Sequence, residues 1–166
     1  CGMDHRGHGR SAGERATIRV EDVEAAVMFT RSRSVFDLTD AVGRRDPSAA
    51  LTVLHSMLAN RENAHGILAM LARHVRQVWI AREMRAAGAS AGAVAAEVGV
   101  PPFVAQKLLD QASRFPDATL ARAHHALAEA DRRLKSSRLP DGPIMEGLIL
   151  EMTRAEATRP RGSPRS

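Results

Sequence analysis

The feature that most constrains the fold is the segment SVFDLTDAVGRRDPSAALTVLHSML, which begins at Ser34. Ser34 is a favourable N-cap residue, and Asp37 three positions later completes a pattern like a capping box. Gly43 is a residue that commonly ends a helix. Asp46 can cap a second helix, with Pro47 in its first turn, where the missing N–H costs nothing. The segment therefore predicts two short helices joined by a tight break, and it contains no pattern of residues that is typical of catalysis.

The rest of the chain reads as further helices separated by Gly and Pro. Apolar residues follow helical spacing over about 63–87, 90–98, 102–115, 117–134 and 144–152. A small helix is also predicted within 17–29, followed by a polar link over residues 30–33. No segment alternates with period two for long enough to form a sheet, and aromatic residues make up only 3% of the chain. We therefore predict an all-α bundle of about six to seven helices with short loops.

The net charge of +5 is unevenly distributed, which weakens the case for a nucleic-acid-binding face. Residues 34–152 hold 14 Lys or Arg and 13 Asp or Glu, so most of the excess lies in the flanks. Residues 1–16 and 154–166 lack apolar periodicity and are predicted to be a disordered leader and a disordered basic tail. Because the chain begins with Cys1, a lipid-anchored N-terminus is one hypothesis. We favour a truncated chain, since no signal segment supports the lipoprotein interpretation.

No catalytic, metal or cofactor site is predicted. A nucleophile on a strained turn, a phosphate-binding GxxxxGK[ST] run and an apolar stretch of the ~20 residues needed to span a membrane are all missing from the sequence. The seven histidines show no metal-ligand spacing and are expected at the surface or an interface: His5, His8, His55, His65, His74, His124 and His125. Asp131 and Lys135 have the spacing of an intrahelical ion pair, although a role of the neighbouring cations in binding a partner subunit stays open.

One segment indicates a different function. The stretch SAGAVAAEVGVPPFVAQKLL, from Ser90, resembles a helix-turn-helix DNA-binding domain, whose second helix lies in the major groove. In that alternative, a small transcriptional regulator, Gln106, Lys107 and Gln111 would read bases. Two prolines at the start of the recognition helix and few nearby phosphate anchors argue against it.

Several segments, taken in order, resemble the C-terminal part of the delta subunit of bacterial DNA polymerase III, a clamp-loader subunit. They are VEDVEAAV (20–27), SVFDLTDAVGRRDPSAALTVLHSML (34–58), LAMLARHVRQVWIAREM (68–84), VGVPPFVAQKLLDQASRF (98–115) and LARAHHALAEADRRLKSS (120–137). The resemblance runs from about Thr17 to Met152, and it lies in the order and spacing of the helices, not in any single motif.

The resemblance implies a helical collar domain over residues 34–153, preceded over 17–33 by the remnant of an AAA+ lid domain. It implies a non-catalytic subunit of the DNA-directed DNA polymerase III holoenzyme, in the cytoplasm, that joins other clamp-loader subunits in a collar ring near primer-template DNA. The sliding clamp would be contacted only through an N-terminal domain that this sequence lacks. Exposed cations of the long helices are then the expected partner or DNA contacts: Arg73, Arg76, Arg82, Arg132 and Lys135.

Overall fold

The computed structural model describes residues 19–154, and the regular secondary structure in this range is entirely helical. Seven helices follow one another: α1 (Val20–Gly43), α2 (Pro47–Ala59), α3 (Ala64–Ala86), α4 (Ala91–Val98), α5 (Pro102–Ala112), α6 (Asp117–Ser136) and α7 (Asp141–Thr153). This confirms the predicted all-α bundle of about six to seven helices. The predicted leader over 1–16, and the predicted tail beyond Arg154, lie outside the described residues.

The predicted break before Ser34 is wrong. The backbone of α1 stays helical through residues 30–33, and the Ser34 hydroxyl donates a hydrogen bond to the Thr30 carbonyl oxygen at 3.0 Å instead of capping a new helix. A Ser hydroxyl can make this bond to the preceding turn without ending the helix. Since residues 30–33 contain neither Gly nor Pro, nothing forces the backbone out of the helix there.

The other predicted helix boundaries are largely confirmed. The Asp46 carboxylate accepts a hydrogen bond from the Ala49 N–H at 3.0 Å, and Ser90 caps α4 in the same way. Gly99 ends α4 in the left-handed conformation, with φ of 72°. One boundary is earlier than expected, because α7 begins at Asp141 and includes residues that were predicted to precede it.

Gly43 does end α1, but for a different physical reason from the one predicted. The left-handed residue of this turn is Arg45, with φ of 56°. Gly43 is needed because the ring of the buried Phe115 packs against it: a Cβ added to Gly43 would lie 2.7 Å from Phe115 Cε2. The close contact fixes the end of α1 against the turn that follows α5.

Helix α3 is the centre of the bundle and packs against α1, α4, α5, α6 and α7. Consecutive pairs α1–α2, α4–α5 and α6–α7 also pack together, as expected for short connections. The stripe predicted on α6 is buried at each position: Leu120, Ala123, Leu127, Ala130 and Leu134. None of the helices between residues 19 and 154 is both long and apolar enough to cross a membrane.

Candidate assembly surfaces

The first half of α1 carries large apolar side chains that the bundle does not cover. Every residue from Val20 to Thr30 is exposed. Val20 is 74% exposed and Phe29 70% exposed, and the other large apolar residues of this half are 43–58% exposed: Val23, Val27 and Met28. Several large apolar side chains exposed along one helix favour an interaction site.

A groove begins where this exposed half of α1 meets the bundle. We call it the α1–α3 groove; it has a volume of about 510 Å³ and lies between α1, α3 and the start of α5. Its lining includes Met28, Val35, Phe36, Met70, Arg73 and Val104. Phe103, on the first turn of α5 beside Val104, is 66% exposed. The groove is thus mainly apolar, with a cation at its wall.

A buried polar network lies beneath the groove and joins three helices. His74 Nε2 lies 2.7 Å from Gln111 Oε1, and since an amide oxygen only accepts, the imidazole donates this bond. The Gln111 amide nitrogen in turn donates to the Phe36 carbonyl oxygen at 3.3 Å and to Thr39 Oγ1 at 3.4 Å. Phe36 also meets the His74 ring edge-on, with ring centroids 4.4 Å apart. Helices α1, α3 and α5 are therefore held together by hydrogen bonds as well as by apolar contact.

His74 corrects the expectation that the histidines lie at the surface or an interface. Its side chain is buried, and burial lowers the pKa of its imidazole, an effect that the hydrogen bond to Gln111 only partly opposes. His55 is exposed by contrast, and its Nε2 lies 2.8 Å from Glu146 on α7. The sequence signal for the burial of His74 is its position among the apolar residues Leu71, Val75 and Val78 on the inner face of α3.

The cations predicted on α3 have different surroundings. Arg73 and Arg76 are exposed, and neither forms an ion pair with a described residue. Arg82 is half-buried and donates to Asp117 on α6 at 2.5 Å. Arg82 therefore already stabilises the α3–α6 contact, whereas Arg73 and Arg76 can contact another molecule without losing a partner within residues 19–154.

The cations predicted on α6 are engaged with acidic neighbours on the same helix. Arg132 and Arg133 both donate to Glu129, and these hydrogen bonds lower the pKa of Glu129 to about 2. Lys135 lies 2.7 Å from Asp131, which confirms the predicted ion pair. Such exposed pairs contribute little to stability, but they leave Arg132 and Lys135 less available to a partner than Arg73.

The three candidate DNA-reading residues do not share one exposed face. Gln106 and Lys107 are exposed, and Gln106 donates to Asp110 on its own helix. Gln111 is only 5% exposed and is committed to the network under the groove, so it cannot reach a base without unfolding part of α5. A recognition helix needs its polar residues directed toward the DNA, and α5 does not meet that requirement at Gln111.

Among the described residues, no group of three or more His, Cys, Asp or Glu side chains is placed to hold a metal ion. The features that sequence reasoning missed are the α1–α3 groove and the network beneath it. Neither has a local motif, because each is formed by residues from α1, α3 and α5 that are distant in the sequence.

Comparison with known proteins gives consistent results. The family model for the DNA polymerase III delta subunit, C-terminal domain, matches residues 32–152. DNA polymerase III subunit delta of Bacillus subtilis is 22% identical over 140 residues, which cover 84% of this chain and 40% of that protein. The solved structure of the Bacillus subtilis DNA clamp loader delta protein superimposes with a TM-score of 0.70 at 21% identity, over 80% of this chain and 39% of that one.

The chain therefore spans about two fifths of the length of the relatives that it matches. The structural match confirms the helical fold, and the comparisons do not support the helix-turn-helix alternative. The family model covers most of the chain, including the seven helices apart from the first half of α1 and the last residue of α7. The chain belongs to the DNA polymerase III delta subunit family, of which it contains the C-terminal domain.

Proposed function

We propose that this chain is the collar domain of a clamp-loader delta subunit, and that its role is to join the other clamp-loader subunits by helix packing. The resemblance in helix order and the family match over residues 32–152 support this proposal. In this proposal the domain takes part in DNA replication without carrying the polymerase reaction.

The observation that carries the proposal is the exposed apolar half of α1, next to the α1–α3 groove. The core of the bundle is well packed, and Leu38, Leu71 and Leu108 each have no exposed area, whereas Phe103, Leu139 and Leu150 are exposed. Val20 and Phe29 depart from that pattern by wide margins. Because leaving such side chains in water forgoes roughly 1.5–3 kcal/mol each, an exposed apolar helix on a well-packed domain favours a surface that another polypeptide covers.

The division into a lid remnant over 17–33 and a collar over 34–153 belongs to this proposal. The continuous helix α1 would cross the boundary between them, with its exposed half on the lid side and its buried half in the collar. The covering polypeptide for the first half would then come from the lid, from a neighbouring subunit, or from both.

The remaining partners are proposed in the same way. The sliding clamp would be contacted by parts of the longer protein outside this sequence, and primer-template DNA would lie near the collar. Arg73 and Arg76 are the cations best placed for a partner or phosphate contact, since Arg82, Arg132 and Lys135 already pair within the domain. We place the assembly in the cytoplasm.

Reconstitution tests the proposal directly. The chain is mixed with the companion clamp-loader subunits from the same organism and analysed by size-exclusion chromatography with light scattering. We expect a stable complex containing one copy of the chain. Elution of the folded chain as a separate species at micromolar concentrations would refute the assembly role. Duplex DNA binding that is strong and sequence-specific in the absence of the other subunits would favour a regulator instead.

A further inference from the structure

We infer that the α1–α3 groove is the docking site for an amphipathic helix of a companion subunit, and that Arg73 selects an acidic residue on that helix. This inference rests on the proposed function and adds to it a specific surface and the chemistry of its ligand.

The lining of the groove suits a helix. It comes from α1, α3 and the start of α5, and it includes the buried Val35 and the half-buried Phe36 and Val104. An amphipathic helix lays apolar side chains spaced by three, four and seven residues into grooves of this type. Met70 and the exposed Met28 lie along the sides. Methionine side chains are flexible and polarizable, and therefore adapt to the anchors of a partner.

The charge of the groove defines the partner further. Among the lining residues whose side chains the structure describes, Arg73 is the one charged group apart from the titratable His74, and none is acidic. Burial lowers the pKa of His74, so that ring is neutral near pH 7 and Arg73 supplies the charge. Because Arg73 has no ion-pair partner among residues 19–154, an incoming carboxylate does not have to displace one.

A nucleic acid is a poorer fit to the same surface. Binding to the phosphate backbone depends on several cations that each neutralise a phosphate. The described lining of the α1–α3 groove offers one guanidinium among apolar side chains, and the neighbouring Phe103 is exposed. A protein helix with apolar anchors and one acidic residue matches both properties of the groove.

The buried network supplies the rigidity that such a site needs. His74 forms part of the groove wall, and its bond to Gln111 holds α3 against α5 directly below. Gln111 also binds the Phe36 carbonyl oxygen, so the α1 wall is held by the same amide. A groove with fixed walls loses less conformational entropy on binding than a mobile surface would.

The test uses the full chain and the companion subunits, without DNA. Binding is measured by surface plasmon resonance for the wild type, Arg73→Glu and Arg138→Glu. Arg138→Glu is the control, because it makes the same change of charge away from the groove-lining sequence. Arg138 is an exposed arginine in the connection between α6 and α7, remote in sequence from each element that lines the groove. We expect Arg73→Glu to weaken association by about tenfold or more, the equivalent of ~1.4 kcal/mol, and Arg138→Glu by less than about twofold. Circular dichroism melting curves should coincide for all three proteins.

A photo-crosslinking amino acid in place of Gln77, which also lines the groove, identifies the bound segment. We expect crosslinks to a helix of a companion subunit with an acidic residue among apolar anchors. Equal losses for the two charge reversals, no loss for Arg73→Glu, or crosslinks to a second copy of this chain or to a helix without acidic residues would each overturn the inference. If the wild-type chain does not associate at all, the proposed function itself fails. Association that is unaffected by Arg73→Glu would instead overturn this inference and leave the proposed function intact.

Discussion

Replacement of Gln111 by alanine separates the two functions that the sequence allowed. If α5 were a recognition helix, Gln111→Ala would weaken DNA binding and leave the fold intact. In the structure the Gln111 side chain accepts a hydrogen bond from His74 and donates one each to Phe36 and Thr39. These bonds lie where three helices meet. We therefore expect the substitution to act on the stability of the domain.

The magnitude follows from these contacts. The 2.7 Å bond from His74 is short, and its loss leaves a buried imidazole N–H without an acceptor, at a cost of about 1–3 kcal/mol. The two longer bonds from the Gln111 amide nitrogen contribute less, roughly 0.5–1 kcal/mol together, since hydrogen bonds weaken with distance. The space left by the truncated side chain adds a further penalty on the order of 1 kcal/mol. Together these terms predict a loss of about 2.5–5 kcal/mol in the free energy of unfolding.

Urea unfolding followed by circular dichroism at 222 nm measures this loss, at pH 7.5 where His74 is neutral. Gln106→Ala is the matched control, because Gln106 lies on the same helix, is exposed and bonds only to Asp110; its cost should stay within about 0.5 kcal/mol. Gln111→Leu fills most of the space without the hydrogen bonds and should fall between the two. A Gln111→Ala protein as stable as the control would refute the reasoning.

Four further substitutions probe the packing of the bundle. Gly43→Ala should lower the free energy of unfolding by roughly 1–2 kcal/mol, because the new methyl group collides with Phe115, whereas Gly147→Ala, in open space on α7, should raise it by about 0.5–1 kcal/mol in the same urea titration. Since burial lowers the pKa of His74 below its ordinary 6.5, the unfolded state binds the proton first as the pH falls below that value. Stability should therefore be constant from pH 8 to 7 and decline below pH 6.5. In a pH series of thermal melts, His74→Gln should reduce the fall in melting temperature below pH 6.5. Thr119→Val should raise the melting temperature by a few degrees, because the buried Thr119 hydroxyl has no hydrogen-bond partner among the described residues; an unchanged or lower melting temperature would show that the hydroxyl is satisfied.

Local signals in the sequence predicted most helix boundaries, because capping depends on residues within a single turn. Asp46 has the predicted capping role, and α4 lies within the range predicted for it, 90–98. Ser34 shows the limit of this reasoning. The same hydroxyl that can cap a helix can also bond to the preceding turn, and the choice depends on whether the chain before it is already helical. The sequence around Ser34 has the capping pattern, but the backbone there belongs to a continuous helix.

Contacts between distant residues could not be predicted from one sequence. Gly43 illustrates this point, because its small size matters only once Phe115, more than 70 positions later, packs against it. His74 and Gln111 are a second case, since polar residues on apolar stripes can face either the core or a partner. The sequence justified a helical bundle and its family resemblance, but the α1–α3 groove required the arrangement of α1, α3 and α5 in space.

Two departures from local rules lie along α1, and they bear on function. Val20 and Phe29, in the first half of α1, break the rule that large apolar side chains are buried, while His74 and Gln111 place polar groups inside the bundle against its second half. Each could be replaced by an alternative that packs better, and substitutions of that kind commonly raise stability. They make physical sense together if the apolar surface is covered in an assembly and the network holds the walls of its groove at a fixed separation. The same surface that lowers the stability of the isolated domain is then the one that joins it to its neighbours.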